Sequence, residues 1–494
     1  MIVAGVYAIN SPGKVMRTNL QRLLAVAIGG ILTAGCDVPA QPDVPSAEVP
    51  WNIVLVVVDD LGWTDLGVMG SKFYETPNVD RLAEAGIRFT NAYAATTVCS
   101  PTRASILTGQ YPARLRVTDW IDGHVRPWAK LQIPDWTHQL PHDALTIPEA
   151  LGAANYVSAS LGKWHLGDEG SWPEAHGFAL NVAGDHRGQP PSYHAPYEIP
   201  TLGEPDGEQY LTERLTDEGI AFIEDNRDHP FFLYLSYYAV HTPIEPEADK
   251  LSKYEVKRES GEGEWVHRNP GYAAMIESLD DGIGRLLQRL DTLAIADRTV
   301  VMFTSDNGGL VLPSSPWGRV TSNWPLRSGK GSAYEGGVRV PFIVRWPGTT
   351  IAGSVDDTPV ISADIYPTIL EIAGVQNPGE IIDGLSLTST LRSEGSPDRD
   401  ALYWHYPHYH PGGASPYGAV RAGRYKLIEY YEDMRVELYN LDVDIGEVED
   451  LAERLPEQTA RLRSMLHAWR NEVDAQMPAE NPNYDPKRAL SFTR

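Results

Sequence analysis

Cysteine is scarce in this sequence, which contains only Cys36 and Cys99 among 494 residues. A framework of several disulfides is therefore excluded, and the fold must be stabilised by its core. A chain of this length can bury a sizeable core, because the fraction of surface buried on folding rises with chain size.

Basic residues are also few. The chain has 41 lysines and arginines against 66 aspartates and glutamates, which gives a formal net charge of −25 at pH 7. Such an acidic body should repel nucleic acid and anionic membrane surfaces. We therefore expect no nucleic-acid partner, and an anionic substrate would need locally concentrated positive charge at its site.

A membrane-spanning segment is not expected either. The apolar run at residues 23–32 is 10 residues long, whereas a spanning helix needs ~20. Three basic residues between positions 14 and 22 precede this run, and a Leu-Thr-Ala-Gly-Cys sequence ending at Cys36 follows it. This arrangement is typical of a lipoprotein signal peptide.

We therefore predict a signal peptide over residues 1–35, starting at Met1 or at Met16. Its removal moves the formal charge from −25 to −28. The mature protein is expected to be an exported bacterial lipoprotein, periplasmic or at the cell surface, that meets the membrane only through a lipid anchor on Cys36. The proline-rich residues 36–50 should form an extended tether.

Strand-like runs begin directly after this tether. Residues 53–58 are a continuous Ile-Val-Leu-Val-Val-Val run, which predicts a strand buried on both faces of a mainly parallel sheet. The runs at 156–160, 231–238 and 299–304 are similar, and each leads into polar residues.

Helical patterns lie between these runs. Between residues 276 and 290, apolar side chains recur at i, i+3, i+4 and i+7 spacing. We predict an α/β fold with a large mixed, mainly parallel sheet sandwiched by helices. In such sheets ligands bind beyond the carboxyl ends of the strands.

The C-terminal part has a different pattern. A Gly-Ser-Pro-Asp stretch at 395–398 is typical of a boundary, and residues 423–430 and 435–440 predict two antiparallel strands before a helix near Pro456. The expected domains are a catalytic domain over 51–395 and a smaller α+β domain with a short antiparallel sheet over 396–494.

One motif carries specific chemistry. Residues 99–103 read Cys-Ser-Pro-Thr-Arg and are followed by Ala-Ser-Ile-Leu-Thr-Gly. This sequence resembles the Cys-x-Pro-x-Arg signature of the type I sulfatases of the alkaline phosphatase superfamily. The resemblance implies sulfate-ester hydrolysis and an alkaline-phosphatase-like fold. It also implies that a formylglycine-generating or sulfatase-maturating enzyme oxidises Cys99 to formylglycine, whose hydrated aldehyde supplies the nucleophilic oxygen.

The resemblance also implies a divalent-metal site. Its ligands would be Asp59, Asp60, Asp306, Asn307 and the oxygens of modified Cys99. Hard oxygen donors of this kind favour calcium over zinc. Asp59-Asp60 alone would more often be a turn after a strand, and Asp306-Asn307 alone would more often be a loop before a helix. The occurrence of both pairs with the Cys99 motif favours the metal site.

The remaining catalytic residues are implied in the same way. Arg103 would orient the hydrated aldehyde, while Lys163 and His165 would contact the sulfate and the formylglycine hydroxyls. His241 and Lys330 would meet the leaving oxygen, and either could donate its proton. His165 would then remove a proton to expel sulfate.

The expected substrate is a sulfated poly- or oligosaccharide, because an exported enzyme meets extracellular polymers. Residues 403–410 resemble a sequence segment found in bacterial carbohydrate sulfatases, and their aromatic and histidine side chains could contact a sugar. Packing between the two domains is the alternative interpretation. The candidate substrate-binding residues are His405, His408, His410, His186 and Arg187.

Three other functions stay open. The first is an arylsulfatase of broad specificity, and the second is a phosphonate or phosphate ester hydrolase of the same superfamily. The third is a sulfated-glycan binding protein without catalysis.

Overall fold

The structure, a computed structural model, describes residues 50–261, 266–377, 379 and 381–490. The predicted signal peptide, Cys36 and the tether up to residue 49 lie outside these ranges. The chain from Pro50 onwards forms one compact unit. No helix in the described ranges is both long and apolar enough to cross a bilayer.

The described strands in chain order are β1 (Asn52–Val58), β2 (Ile87–Phe89), β3 (Ala92–Tyr93), β4 (Leu131–Gln132), β5 (Val157–Gly162), β6 (Leu180–Val182), β7 (Phe231–Ser236), β8 (Thr299–Ser305), β9 (Phe342–Arg345), β10 (Ser354–Asp356), β11 (Val360–Ile361), β12 (Leu402–Tyr406), β13 (Tyr417–Ala422), β14 (Tyr425–Tyr430), β15 (Val436–Asn440) and β16 (Ala479–Glu480).

The α-helices of the same ranges are α1 (Pro77–Glu84), α2 (Cys99–Thr108), α3 (Pro112–Leu115), α4 (Ile147–Gly152), α5 (Leu211–Asp225), α6 (Ala248–Ser260), α7 (Pro270–Thr292), α8 (Glu335–Val338), α9 (Ile365–Ile372), α10 (Thr388–Leu391), α11 (Pro456–Glu472) and α12 (Pro486–Leu490). Short 3₁₀ helices occupy Gly67–Met69, Glu169–Ser171, Pro173–His176, Ala296–Arg298 and Ser362–Asp364.

A large mixed sheet forms the centre of the molecule. Its strand order is β10-β2-β9-β8-β1-β7-β5-β6. Pairing is parallel except on the two sides of β9, which runs antiparallel to β2 and β8. The predicted α/β class with a mixed, mainly parallel sheet is therefore confirmed.

Helices cover both faces of this sheet because alternate side chains of the central strand point to opposite sides. Val54, Val56 and Val58 join the apolar cluster that includes α1, α5, α6 and α7. The intervening residues of β1 join the cluster that includes α2, α4 and α9. A strand with apolar side chains on both faces packs against the helices on both sides of the sheet. This packing explains the continuous β-branched run.

The strand register brings four polar loops to one edge of the sheet. Val58 at the end of β1 lies opposite Ser305 at the end of β8. On the other side of β1, Ser236 at the end of β7 lies opposite Gly162 at the end of β5. The residues after these four strand ends therefore converge, as expected for the carboxyl edge of a parallel sheet.

The C-terminal part contains the predicted short antiparallel sheet, which has four strands in the order β12-β13-β14-β15. Leu462 and Leu466 of α11 pack against it. Its core also includes Tyr93, Ala95 and Val98 from the segment before α2. The small sheet and the large-sheet part of the chain therefore share one apolar cluster.

A buried ion-pair network also joins these two parts. Lys426 of β14 is fully buried, and its Nζ lies 2.9 Å from Glu335 Oε1 and 3.0 Å from Glu447 Oε1. Glu335 is the first residue of α8 and also accepts a hydrogen bond from Tyr93. Lys426 therefore bridges two carboxylates that have no access to water, and Arg339 supplies a second cation to Glu335 at 3.3 Å.

We predict that Lys426→Met lowers the free energy of unfolding by about 3–5 kcal/mol, because it leaves the buried Glu447 without an ion-pair partner and Glu335 with Arg339 alone. Arg435→Ala is the matched control, since Arg435 is half-exposed and pairs with Glu437 at the surface; its cost should stay within about 1 kcal/mol. Urea unfolding followed by tryptophan fluorescence measures both. Equal midpoints for the two variants would show that the network contributes nothing to stability.

Candidate active site

Cys99 lies at the first turn of α2, directly after the extended residue Val98. Its side chain is 2% exposed, and every residue of α2 is buried. Lys330 Nζ approaches its sulfur at 3.4 Å. Burial raises the pKa of the Cys99 thiol, in spite of the nearby Lys163 and Lys330 charges.

Three buried carboxylates lie around this cysteine, and each has its own cation. Lys163 Nζ donates to Asp59 Oδ2 at 2.7 Å. Lys330 Nζ lies 2.7 Å from Asp60 Oδ1. The third pair joins Arg103 to Asp306 Oδ2, through Nη2 at 2.7 Å and Nε at 2.8 Å. Buried charges need such partners because isolated ions are costly to desolvate.

Arg103 also fixes the loops on either side of it. Its Nη1 donates to the Lys163 carbonyl at 3.0 Å and to Ser236 Oγ. Burial acts against its charge, but Asp306 and other anionic neighbours outweigh that effect and raise the pKa of Arg103. The guanidinium therefore connects the ends of β5, β7 and β8.

Several oxygens at this edge remain without a hydrogen bond in the described part of the chain. They are Asp59 Oδ1, Asp60 Oδ2 and Asn307 Oδ1, all buried. Asn307 Nδ2 donates to Asp60 Oδ1 at 2.8 Å, so its amide is oriented with the oxygen as the free group. Buried unpaired oxygens are costly, and oxygen donors of this kind fit a hard divalent cation.

One ligand atom each from Asp59, Asp60, Cys99 and His241 lies within 4.8 Å of the others. Asp306 is less available than predicted from the sequence. Its Oδ2 accepts from Arg103, and its Oδ1 accepts from the Asp60 amide at 3.2 Å. All five predicted metal-ligating residues are nevertheless buried in one cluster.

The carboxylates differ in protonation. Burial raises the pKa of Asp59 to about 8, against the opposing charge of Lys163. Burial also acts on Asp60, but Lys330 and His241 outweigh it and hold the pKa of Asp60 below its usual range. Arg103 and Lys163 likewise outweigh burial at Asp306 and lower its pKa. At Asp59 the neighbouring positive charge is therefore too small to offset burial. Such a carboxylate would be stabilised in its ionised form by a bound cation.

His165 is held in a single orientation. Its backbone is left-handed, with φ 57°, and its Nε2 bonds to the Ile121 carbonyl. A carbonyl only accepts, so the neutral ring carries its proton on Nε2 and has its lone pair on Nδ1, which is buried without a hydrogen bond. Burial, assisted by Lys163, lowers the pKa of His165 far below its ordinary value.

His241 and Lys330 lie where the site opens, with side chains 13% and 9% exposed. His241 Nδ1 lies 2.7 Å from the Thr242 carbonyl, and its Nε2 lies 3.6 Å from Asp60 Oδ2. Burial and the Lys330 charge lower the pKa of His241 to about 3. The Asp60 charge outweighs burial at Lys330 and raises its pKa.

The Lys330 loop depends on the glycine that follows it. Gly331 has φ 77°, a left-handed conformation, and a Cβ there would overlap the His410 ring. The loop is fixed on both sides, since Lys330 N donates to the Gly309 carbonyl and Gly331 N donates to the Thr97 carbonyl, each at 3.1 Å. Glycine is therefore required where the C-terminal part meets the site.

The residues predicted to contact substrate lie in three settings. His405 is buried, with Nδ1 bonded to Tyr431 Oη at 2.7 Å and Nε2 bonded to the Gln476 carbonyl at 2.9 Å. His408 is buried against Thr118, at 2.9 Å from its hydroxyl. The protein itself occupies both ring nitrogens of His405 and Nε2 of His408, whereas His408 Nδ1 is buried without a hydrogen bond. This pattern favours packing, and the substrate-binding role stays a prediction.

His410 and the 185–188 loop are nearer the site. His410 packs against Gly331 beside Lys330. His186 is exposed, and Arg187 pairs with the buried Asp185 at 2.7 Å, which leaves its side chain 28% exposed. The neighbouring Gly188 packs against the His165 ring. These residues stay candidates for substrate contact.

Sequence reasoning missed several residues that shape the site. Ser236 binds Arg103, and the Ile121 carbonyl holds His165. Trp120 has its ring centroid 6.4 Å from that of His165 and donates from Nε1 to His124 Nδ1 at 2.9 Å. A backbone carbonyl has no sequence signal, and the 116–138 segment has little regular secondary structure whose period could have been recognised.

Comparison with known proteins identifies the relatives of this arrangement. The sulfatase family model matches residues 51–375. A second model, described as the C-terminal part of N-sulphoglucosamine sulphohydrolase, matches residues 329–476. The two matches overlap at the Lys330 loop and together extend over most of the described chain.

Individual relatives agree. A sulfatase of Formosa agariphila is 32% identical over 92% of this chain and 94% of its own length. N-acetylgalactosamine-6-sulfatase of Homo sapiens is 35% identical over 72% of this chain and 69% of its own length. The solved structure of Ps i-CgsB in complex with k-i-k-neocarrahexaose has a TM-score of 0.71 and 29% identity, and covers 90% of this chain and 97% of that one.

The buried histidines generate a pH prediction. Burial lowers the pKa of His405 from 6.5 to about 4. Its contribution to stability is complete above pH 6.5 and is lost as the pH falls towards 4, because only the unfolded chain then takes up the proton. Between pH 6.5 and 5 this loss should reach about 2 kcal/mol.

His405→Gln should therefore show an acid-induced loss of unfolding free energy smaller by about that amount. The matched control is His186→Gln, because His186 is exposed, and its pH dependence should equal that of the unsubstituted chain. Urea unfolding at pH 7 and pH 5 measures both. An unchanged pH dependence in His405→Gln would mean that folding does not shift the pKa of His405 in the unsubstituted chain.

Proposed function

This chain belongs to the sulfatase family and hydrolyses sulfate esters, and we propose that it removes sulfate from a carbohydrate through a formylglycine formed from Cys99 and a bound calcium ion. The observation that supports this most is the position of Cys99. It lies at the start of a buried helix, 3.4 Å from Lys330 and within the cluster of Asp59, Asp60 and His241.

A thiol at this position would be a poor nucleophile. Reactive cysteines act as thiolates, but burial raises the pKa of Cys99 and keeps an unmodified thiol protonated at neutral pH. The sulfur therefore stands in for the oxygens of the oxidised residue, which would be the atoms that meet Lys330.

A calcium ion fits the donors that surround this position. Asp59 Oδ1, Asp60 Oδ2 and Asn307 Oδ1 are buried oxygens without hydrogen bonds in the described chain. Calcium accepts carboxylate and amide oxygens in flexible geometry. When bound, the ion supplies Lewis-acid polarisation of the sulfate, and the formylglycine supplies the nucleophilic oxygen.

The chain itself supplies fixed cations for the sulfate. Lys163 and Lys330 are held at 2.7 Å from Asp59 and Asp60, so their ammonium groups are oriented before substrate arrives. A sulfate monoester repels a nucleophile because its non-bridging oxygens share negative charge. Preorganised cations in a water-poor site reduce that repulsion.

Proton transfer can be divided between two residues. His165 has its lone pair on Nδ1 and a depressed pKa, so it can accept a proton only transiently and then release it. Lys330 is protonated, lies at the opening and can donate to the leaving oxygen. The neutral His241 ring donates its Nδ1 proton to Thr242, which leaves Nε2 as an acceptor. The geometry therefore favours Lys330 over His241 as the proton donor.

The substrate class is supported by the relatives. A human relative is an N-acetylgalactosamine-6-sulfatase, and the protein Ps i-CgsB was solved with neocarrahexaose, a carbohydrate. We propose a sulfated poly- or oligosaccharide as substrate and an exported lipoprotein anchored through Cys36 as the cellular form. Metabolic labelling with palmitate, compared with Cys36→Ala, tests the anchor.

The catalytic proposal predicts that Cys99→Ala and Cys99→Ser lose at least about 1,000-fold in kcat/KM on 4-nitrophenyl sulfate, because both lack the aldehyde that splits the reaction into two easier steps. Mass spectrometry of the Cys99 peptide should show the oxidised residue when a maturating enzyme is co-expressed. Asn226→Ala, at the end of α5 and outside the motif, is the control and should keep the modification.

Two results would contradict this function. Full activity of Cys99→Ala would exclude the modified residue as nucleophile. Faster turnover of 4-nitrophenyl phosphate than of the sulfate would favour a phosphate ester hydrolase.

The metal proposal predicts that the chelator-treated protein binds one Ca²⁺ in calorimetry and that its melting temperature rises with Ca²⁺. Asn307→Ala removes one oxygen donor and should weaken binding about tenfold or more, which corresponds to about 1.4 kcal/mol. Asn226→Ala, at the end of α5, is the control and should bind normally. Tighter binding of Zn²⁺ than of Ca²⁺ would exclude the calcium assignment.

A further inference from the structure

A cavity lies beside the candidate active site. It has a volume of about 450 Å³ and is lined by residues of two segments, 122–138 and 481–483. We call it the distal cleft. None of its lining residues is among the catalytic, metal-ligating or substrate-contacting candidates discussed above.

The distal cleft continues from the catalytic centre. His124 lines it and is hydrogen-bonded to Trp120, whose ring lies next to that of His165. The His124 ring centroid is also 5.9 Å from that of His410, which packs against Gly331 beside Lys330. A molecule whose sulfate reaches Lys330 could therefore extend past His124 into the cleft.

The walls of the distal cleft are fixed rather than loose. Asn481 Nδ2 donates to the carbonyls of Pro127 and Ala129 at 2.9 and 2.6 Å. The strand β16 pairs with β4, which places Ala479 opposite Gln132. The C-terminal segment is thus held against the 122–138 segment by main-chain and amide hydrogen bonds.

The lining combines exposed polar groups with apolar ones. The side chains of Gln132 and Asn483 are exposed and make no hydrogen bond within the described residues. An amide offers both donors and acceptors, as a sugar hydroxyl does. Val125, which is 79% exposed, and Pro134 supply apolar surface for the C–H face of a sugar ring.

The charge of the distal cleft is the decisive feature. Among its lining residues, Asp122 and Asp135 provide two exposed carboxylates against the single guanidinium of Arg126. Burial and the Arg126 charge lower the pKa of His124, so it adds no positive charge at neutral pH. The catalytic centre balances its three carboxylates with three cations, whereas the distal cleft carries a small excess of negative charge.

We propose that the distal cleft binds an uncharged sugar residue that is linked to the sulfated one. This inference rests on the proposed function, because it takes the sulfated sugar to lie at Lys330. The enzyme would then act on oligosaccharides in which a sulfated residue neighbours a neutral residue, and it would disfavour a uronic acid or a second sulfate at that position.

The test compares three substrates with the same sulfated unit, namely galactose 6-sulfate alone, linked to galactose, and linked to glucuronic acid. We expect kcat/KM to be at least about tenfold higher for the galactose-linked disaccharide than for the monosaccharide, since two new hydrogen bonds suffice for that gain. The glucuronic acid disaccharide should be about fivefold poorer than the galactose disaccharide, the order expected for exposed charges a few ångströms apart.

Substitutions in the distal cleft then test whether its side chains cause the preference for the disaccharide. The double variant Gln132→Ala/Asn483→Ala should lower the ratio of disaccharide to monosaccharide kcat/KM about tenfold, because it removes both free amides. The matched control is Gln376→Ala/Asn226→Ala, which lies outside the cleft and should keep the ratio. In Asp122→Asn/Asp135→Asn the discrimination against glucuronic acid should disappear. An unchanged ratio in the first variant, or unchanged discrimination in the last, would overturn the proposal.

A binding measurement separates this proposal from the proposed function. Calorimetry with an uncharged agarose tetrasaccharide needs no turnover, and we expect binding that the Gln132→Ala/Asn483→Ala variant weakens about tenfold. Binding without hydrolysis of any sulfate ester would support the cleft and contradict the catalytic proposal. Hydrolysis of galactose 6-sulfate with no binding of the tetrasaccharide and no preference for the disaccharide would contradict the proposed sugar site in the distal cleft and leave the catalytic proposal intact.

Discussion

Buried charge at the carboxyl edge of the large sheet is the constraint on which this structure depends. Three carboxylates and three cations are enclosed there with almost no access to water. Each ion is tolerable only because its partner lies within about 3 Å. The pairs leave selected oxygens without a partner next to fixed ammonium groups, which is the arrangement that the proposed calcium ion and the sulfate would need. The fold around them holds these six ionisable groups in fixed positions.

Much of this arrangement could be predicted from the sequence. The β-branched runs of β1 and β8 are continuous because both faces of these strands are covered by helices, and the polar residues that end them necessarily meet at one edge. The structure brings Cys99, Lys163, His165, His241 and Lys330 together at that edge. The predicted helix near Pro456 begins at that residue, and the predicted helix at 276–290 lies within α7.

Other parts were beyond sequence reasoning for identifiable reasons. Residues 403–406, which the sequence indicates as possible sugar contacts, lie in strand β12. Aromatic and histidine side chains occur both in binding sites and in tightly packed strands, so their presence alone does not distinguish the two. The segment 116–138 folds through single hydrogen bonds to distant residues, such as Asn481, and these contacts have no periodic pattern. The C-terminal sheet shares its core with residues before α2. The change in composition near residue 395 predicts a domain boundary but gives no sign of this long-range packing.

The complete burial of α2 has a consequence for biosynthesis. An enzyme that oxidises Cys99 must enclose this side chain, yet in the folded chain the whole helix is covered on every side. The proposed oxidation would therefore have to precede folding, and the two processes would compete in time. Under the proposed maturation, a polypeptide that folds first would be kinetically trapped as an inert thiol form, so the yield of modified enzyme would be set by the relative rates of oxidation and folding and not by any equilibrium of the finished molecule.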